Sequence, residues 1–326
     1  MKYRKLGGTG VVVSEIGFGA WQVGGPLRAY FDRLGWISHG WGDSDENAAV
    51  RLIRACGDMG INFIDTAAGY GAGHSEEVVG RAVAGQRDAW VIETKGGEGF
   101  RPDGVNYHDF SKAALLRQIE GSLTRLGTDY VDVYLLHGPS AADIAGGECL
   151  EALAEIKRNG KARLVGVSLG PAEMGLDLID RGGMDVYQVS LSLTNAAMAA
   201  ELLPAAAAAG IGIVARCAFG AGFLAGGMDE TTDFAANDRR SWQPEASKRA
   251  STAAARAFDF LDVPGRSLAQ ACLKYPLAFP EVSTVIPGSK NIEHMRENAA
   301  AAESPDLTRA ELEQIGSVRR RILSPV

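Results

Sequence analysis

Cysteine is scarce in this chain. Only four occur in 326 residues, Cys56, Cys149, Cys217 and Cys272, and none forms a C-x-x-C pair. That spacing predicts neither a structural zinc site nor a disulfide-stapled secreted scaffold. Basic charge is also short: 33 Lys and Arg against 40 Asp and Glu leave a formal charge of −7. Such a balance excludes general affinity for nucleic acid or acidic membranes. Long apolar runs are missing too, since the alanine tract at 205–209 falls far below the length of a bilayer span. The opening MKYRKLGGTGVVVSEIGFG lacks an apolar core and a small-residue cleavage site, so the expected location is cytoplasmic. No low-complexity linker or composition break appears, which predicts one domain over 1–326.

What the chain does have is alternation. Short apolar or β-branched runs recur at 61–65 (INFID), 90–94 (WVIET), 131–136 (VDVYLL), 163–167 (RLVGV), 185–189 (DVYQV), 211–215 (IGIVA) and 283–286 (STVI). An earlier run around 16–18 completes eight. Near-continuous apolar character is what a parallel strand covered on both faces requires. Amphipathic stretches lie between them: Ala49, Leu52, Ile53 and Cys56 at helical spacing, then Leu115, Ile119, Leu123 and Leu126 with Gly127 as a stop, then 150–157 ended by Asn159 and Gly160. Repeated βα units predict an α/β protein, and eight of them a closed (β/α)₈ barrel. The stretch before Ile16, with its Gly-Gly-Thr-Gly turn, reads as an N-terminal β-hairpin. Residues 220–244 read as a long loop after the seventh strand, and 306–322 as a C-terminal helix.

Barrels of this kind place their chemistry at the C-terminal strand ends. There this sequence has Asp65, Lys95, His137, Ser168, Gln188 and Arg216, with Tyr70 close by. Reducing a carbonyl by hydride needs a proton donor for the developing alkoxide. A free phenol, with a pKa of about 10, exchanges its proton poorly at neutral pH. A neighbouring ammonium lowers that value, and a carboxylate holds the ammonium in place. An imidazole N–H can polarise the carbonyl oxygen. Tyr70, Lys95, Asp65 and His137 thus form an acid-catalysis set without a metal.

The stretch Asp65-Thr66-Ala67-Ala68-Gly69-Tyr70-Gly71, with Ser75-Glu76 after it, resembles the D-T-A-x-x-Y-G…S-E signature of aldo-keto reductases. Thr94-Lys95, the run from Asp129 to Asp132 leading into Leu136-His137, Gly166-Val167-Ser168, and Ile286-Pro287-Gly288-Ser289-Lys290 with Glu297-Asn298 follow in matching order. The resemblance implies Tyr70 as proton donor or acceptor, Lys95 and Asp65 as its tuning pair, and His137 as the carbonyl-orienting group. It implies Ser168 and Gln188 on the nicotinamide carboxamide, Glu297 and Asn298 on adenine, and Ser289 and Lys290 on a 2′-phosphate. Arg216, Phe219, Gly220, Gly222, Gly288 and His294 belong to the same implied cofactor-binding set, and the implied cofactor is NADPH. A local basic pocket for it is compatible with the acidic balance.

Three positions depart from the family pattern. Leu169 stands where G-V-S is normally followed by Asn. Arg216-Cys217-Ala218-Phe219 replaces a Y-S-P-L context, and a guanidinium plane can stand in for the stacking aromatic. His294 occupies a position that more often carries Arg or Gln. With Lys290 as the permanent cation nearby, NADH use stays open beside NADPH.

Several residues have plainer readings. Asp65 and Lys95 alone would be a structural ion pair, and His137 alone a core histidine. Ser75, Glu76 and Glu77 read as a helix N-cap with favourable first-turn charge. Cys217 reads as a buried, inert thiol. Trp21 and Trp41 either wall a substrate pocket or pack beneath a loop. Gly17-Phe18-Gly19 lacks the spacing of a dinucleotide-binding turn. Three functions compete: an active carbonyl reductase or alcohol dehydrogenase acting on a small molecule, a cofactor-binding redox sensor of the same fold, and a lyase using Lys95 as a Schiff-base nucleophile. The pairing of Lys95 with Asp65 works against the last.

Overall fold

The structure, a computed structural model, describes residues 1–229 and 231–323. The chain opens with an antiparallel hairpin, β1 (Tyr3–Lys5) and β2 (Val12–Ser14). The first barrel strand, β3 (Phe18–Gly19), is followed by a second hairpin, β4 (Arg28–Phe31) and β5 (Gly35–Ser38). Next come β6 (Phe63–Asp65) and β7 (Val91–Gly96), then a third hairpin, β8 (Glu98–Phe100) and β9 (Asn106–His108). The barrel continues through β10 (Val131–His137), β11 (Ala162–Ser168), β12 (Val186–Ser190), β13 (Gly212–Arg216) and β14 (Val282–Val285).

The eight barrel strands lie in the order β14-β13-β12-β11-β10-β7-β6-β3, and every pairing is parallel. Ile16 pairs with Val285, and Gly17 N–H donates to Val285 O at 2.8 Å, so the last strand meets the first and the sheet closes. The (β/α)₈ expectation holds, with strand bounds displaced by one or two residues. The hairpins at 28–38 and 98–108 were not foreseen, and both rise from the C-terminal ends of strands.

Two of the helices show how their starts are specified locally. Asp45 caps Glu46–Asp58 by accepting from Ala48 N–H, and Ser111 caps Lys112–Leu126 in the same way. Gly127 ends the latter in the left-handed region at φ 64°, where a side chain would be strained. The buried stripe Ala49, Leu52, Ile53, Cys56 faces the sheet as the spacing requires. The last helix is Arg309–Leu323.

Apolar material divides into two layers. One fills the space between strands and helices. The other lies inside the barrel, where Phe63, Val91, Val133, Leu164, Val186 and Val214 meet Leu6, Val11 and Val13. The N-terminal hairpin therefore plugs the bottom of the barrel with three apolar side chains, each stabilising burial by roughly 1.5–3 kcal/mol. Polar groups are left to the other end.

One charged cluster belongs to the bottom face. Asp132, near the start of β10, is 1% exposed and accepts from Arg87 at 2.7 Å, Arg163 at 2.8 Å and the Ile92 N–H at 2.9 Å. Removing one partner from such a buried network strands the others. Asp132→Ala is expected to lower unfolding free energy by about 3 kcal/mol in equilibrium urea denaturation. Cofactor affinity of the folded fraction should be retained, because the cluster lies at the end of the barrel away from Tyr70.

Candidate functional site

At the opposite end the strand termini converge. Asp65 closes β6 and Lys95 lies near the end of β7, while Tyr70 opens the turn Tyr70–Gly73 after β6. Lys95 is fully buried and ion-paired with Asp65; it also donates to Thr66 O at 2.8 Å and lies 3.3 Å from Tyr70 Oη. Two residues apart on one strand, Glu93 and Lys95 point to the same side, into the barrel. Glu93 is fully buried and accepts from Gln188 Nε2 at 2.6 Å, and the same amide donates to Asp65 Oδ1 at 2.7 Å. Ser168 Oγ completes the chain by donating to Gln188 Oε1 at 3.0 Å.

The electrostatics of this chain revise one expectation. Burial pushes the Tyr70 phenol up; the charge and hydrogen bond of Lys95 pull it down but do not outweigh burial, and Asp65 adds to the rise. The net direction is therefore upward, not the lowering that an ammonium neighbour alone would give. Lys95 also ends higher than an ordinary lysine: burial lowers it, and Asp65, Tyr70 and Glu93 together more than reverse that. Burial, with Asp65 behind it, pushes Glu93 well up against the pull of Lys95.

His137 ends β10, with its ring 5.7 Å from that of Tyr70 at 82°. Its Nδ1 lies 3.0 Å from Oε2 of Glu98, whose other oxygen accepts from Asn106 Nδ2 at 3.2 Å. Burial raises the Glu98 carboxyl, but the nearness of His137, with His39 and His108 beyond, holds it down at about 2. Trp21 stacks on Tyr70 with centroids 5.3 Å apart and an interplanar angle of 13°. Trp41 meets Trp21 edge-on at 5.6 Å, and His39 lies 5.3 Å from Trp21. Trp21 thus stands against Tyr70, with Trp41 edge-on behind it.

The other half of the rim carries the implied cofactor residues. Arg216 closes β13, donating to Leu169 O at 3.1 Å and to Cys217 Sγ at 3.3 Å. Two tight turns follow, closed by Gly220 N–H to Cys217 O and Gly222 N–H to Phe219 O, each 2.9 Å. Gly288 faces Gly19, where a Cβ would lie 2.8 Å from the Gly19 carbonyl. Ser289 is buried and exchanges hydrogen bonds with the Asn291 backbone. Lys290 Nζ donates to Trp41 O and Asp43 O, both at 2.7 Å. His294 and Glu297 are exposed on Ile292–Ala300, where Asn298 is buried, and Glu297 accepts from Ser267 at 2.6 Å.

Gln188 turns into the barrel, where its amide hydrogens go to Asp65 and Glu93 and its oxygen accepts from Ser168. Two readings change. Cys217 is exposed, with φ 63°, because it sits at the sharp turn leaving β13. Ser75 is not an N-cap: it lies inside His74–Val83, bonded to Ala20 O at 2.8 Å and Thr66 at 2.9 Å. Glu76 and Glu77 do occupy that helix's first turn. Reading strand ends missed Glu93, one layer deeper, though its two-residue spacing from Lys95 was a usable signal. It also missed Glu98, His39 and Arg239, which loops deliver.

A family model described as the aldo/keto reductase family matches residues 15–320. The chain belongs to that family. As an aldo/keto reductase it is an oxidoreductase. It is 31% identical over 320 residues to the uncharacterized oxidoreductase YqkF of Bacillus subtilis, covering 97% of this chain and 96% of that protein. Among solved structures, glycerol dehydrogenase AKR11B4 from Gluconobacter oxydans superposes with a TM-score of 0.82 at 27% identity, covering 99% and 97% of the two chains. An aldo/keto reductase from Klebsiella pneumoniae, solved in complex with NADP and acetate, does so with 0.71 at 27% identity over 98% and 96%.

Proposed function

We propose that this aldo/keto reductase interconverts a carbonyl compound and an alcohol using NADP(H), with Tyr70 passing the proton. The reading rests above all on one observation: a buried phenol 3.3 Å from a buried ammonium at the C-terminal mouth of the barrel. The NADP-bound Klebsiella structure supports the choice of cofactor. So does the buried Nε of Arg216, which has no hydrogen-bond partner among the described residues and suits a polar ligand group on that arc. Ser168, Arg216, Phe219, Gly220, Gly222, Gly288, Ser289, Lys290, His294, Glu297 and Asn298 are the residues that would hold it. Lys290 would present a 2′-phosphate with an ammonium already anchored on two carbonyls. The bound nicotinamide supplies the hydride for reduction and accepts it for oxidation.

The chain's own residues handle the proton. Tyr70, held protonated by burial, gives its proton to the substrate oxygen as the C–O double bond becomes a single bond. Lys95 then faces the phenolate and stabilises it, and Asp65 keeps Lys95 in place. His137, with Glu98 at 3.0 Å from its Nδ1, orients the same oxygen. Lys95 is held as the ammonium chiefly by Asp65, which opposes a Schiff-base role, since that needs a free amine.

Tyr70→Phe should keep NADPH affinity in a fluorescence titration and lower the rate of NADPH oxidation by aldehydes at least ~10²-fold. A variant retaining near-full rate would remove Tyr70 from the proton path. Because burial raises the phenol above its ordinary value, reductive kcat/KM should show no Tyr70-dependent loss as pH rises from neutral toward about 10. An alkaline limb near neutrality that disappears in Tyr70→Phe would contradict this.

A further inference from the structure

We propose that Arg239 docks an anionic substituent, a carboxylate, on the carbonyl substrate, a specificity that builds on the function proposed above. On the side of Tyr70 away from Arg216, which Leu169 O and Cys217 Sγ occupy, the charged groups are accounted for until Arg239 is reached. Lys95 is matched by Asp65. Glu93 is pushed up by burial and carries its proton more readily than an ordinary carboxylate. Glu98 is spent on His137 and Asn106. His39 is brought down to about 4, chiefly by burial and against the pull of Glu98, and so is neutral at neutral pH. Asp238 is taken at both oxygens by Arg240, at 2.9 and 2.7 Å.

Arg239 has no such partner. Among the described residues no carboxylate or carbonyl accepts from its guanidinium, and its buried Nε is unpaired. Its Cζ lies 4.2 Å over the Trp21 ring and 5.6 Å from the centre of Trp41. A cation on indole faces is attracted to them, but an aromatic face does not use the in-plane N–H fork, which fits a carboxylate. The group is also held. Arg239 N–H donates to Gly40 O at 2.8 Å, Trp41 pairs with Asp238, and Gly42 N–H donates to Asn237 O at 3.1 Å, so the loop after β13 is stitched to the loop after β3.

Position selects substrate over cofactor. Trp21 is in ring contact with both Arg239, at 4.2 Å, and Tyr70, at 5.3 Å, so an anion on Arg239 and the proton donor share one indole. A compound with a carbonyl at one end of a ring or short chain and a carboxylate at the other fits that arrangement. The loop after β13 also carries Phe219, Gly220 and Gly222 of the implied cofactor set, but the guanidinium of Arg239 lies over Trp21, the ring that stacks on Tyr70.

The test compares 4-carboxybenzaldehyde with its neutral methyl ester under saturating NADPH. Wild-type kcat/KM should favour the carboxylate by at least about tenfold, mainly through KM, and the preference should shrink as salt rises. Arg239→Gln should bring the ratio toward one, and Arg239→Lys should retain part of it. Equal kcat/KM for the two aldehydes in the wild type would overturn the proposal. So would an Arg239→Gln variant that weakens NADPH binding while keeping the ratio, because the anion would then be a cofactor phosphate. Benzoate titration, followed by tryptophan fluorescence with and without NADP⁺, separates the two readings. If neither aldehyde is reduced, the proposed reaction falls for these compounds. Saturable benzoate binding weakened at least about tenfold by Arg239→Gln would still support the site, and no benzoate binding would end it.

Discussion

Everything at the C-terminal mouth depends on one buried ammonium. Lys95 has no access to solvent, and an isolated charge there would cost several kcal/mol after relaxation. Asp65 offsets that cost, but a carboxylate in the same place needs its own partners. The amide of Gln188 supplies them, tying Asp65 and Glu93 together from the far side of the barrel. Ser168 then fixes the amide. A single cation thus recruits hydrogen bonds from β6, β7, β11 and β12. The network that prepares Tyr70 also fills the upper barrel, where apolar packing gives way to polar groups. Removing Lys95 would leave carboxylates facing one another with no cation between them.

The rim divides into two arcs. On one side, β3, β6, β7 and β10 bring Trp21, Asp65, Tyr70, Lys95 and His137 together. On the other, β11 to β14 lead into the segments that would hold the cofactor. The division follows from topology, since parallel strands in one register deliver their C-terminal ends to one face. Among the described residues, the non-glycine positions at positive φ lie on the same face: Ala72, just past Tyr70, and Cys217 and Ala221, just past Arg216. Such conformations cost of order 1–3 kcal/mol each and persist only where surrounding structure imposes them. Here the imposing structure is the pair of turns that aims Tyr70 inward and bends the chain away from Arg216.

The parts of the molecule legible in the sequence share a physical basis. Parallel strands covered on both faces must be apolar along their length, so INFID, VDVYLL and IGIVA announce themselves. Strand-end polar residues are legible because the barrel forces them to converge. The hairpins β4–β5 and β8–β9 were not legible: RAYF and GWIS are short, mixed in character and lie on the surface, so no periodic burial marks them. Glu98, His39 and Arg239 were hidden for a related reason. Their meaning comes from neighbours tens to hundreds of residues away, brought close only when the loops fold against one another. The direction of the Tyr70 shift was hidden as well. Residue types indicate an ammonium beside a phenol, but only burial decides which influence prevails.

That ordering of influences bears on how such a site can change its substrate. The proton-handling groups belong to strands whose neighbours are fixed by the barrel, so Asp65, Lys95 and Gln188 cannot be moved without disturbing the core. Trp41, His39 and Arg239 belong to loops joined to each other by main-chain hydrogen bonds, and Trp21 touches both these loops and Tyr70. Substitutions in the loops can alter the charge and shape presented above Tyr70 without breaking a strand pairing or exposing the Lys95 cation. Chemistry and selectivity therefore rest on different mechanical supports. The stacking of Trp21 on Tyr70 is where a change in one is felt by the other.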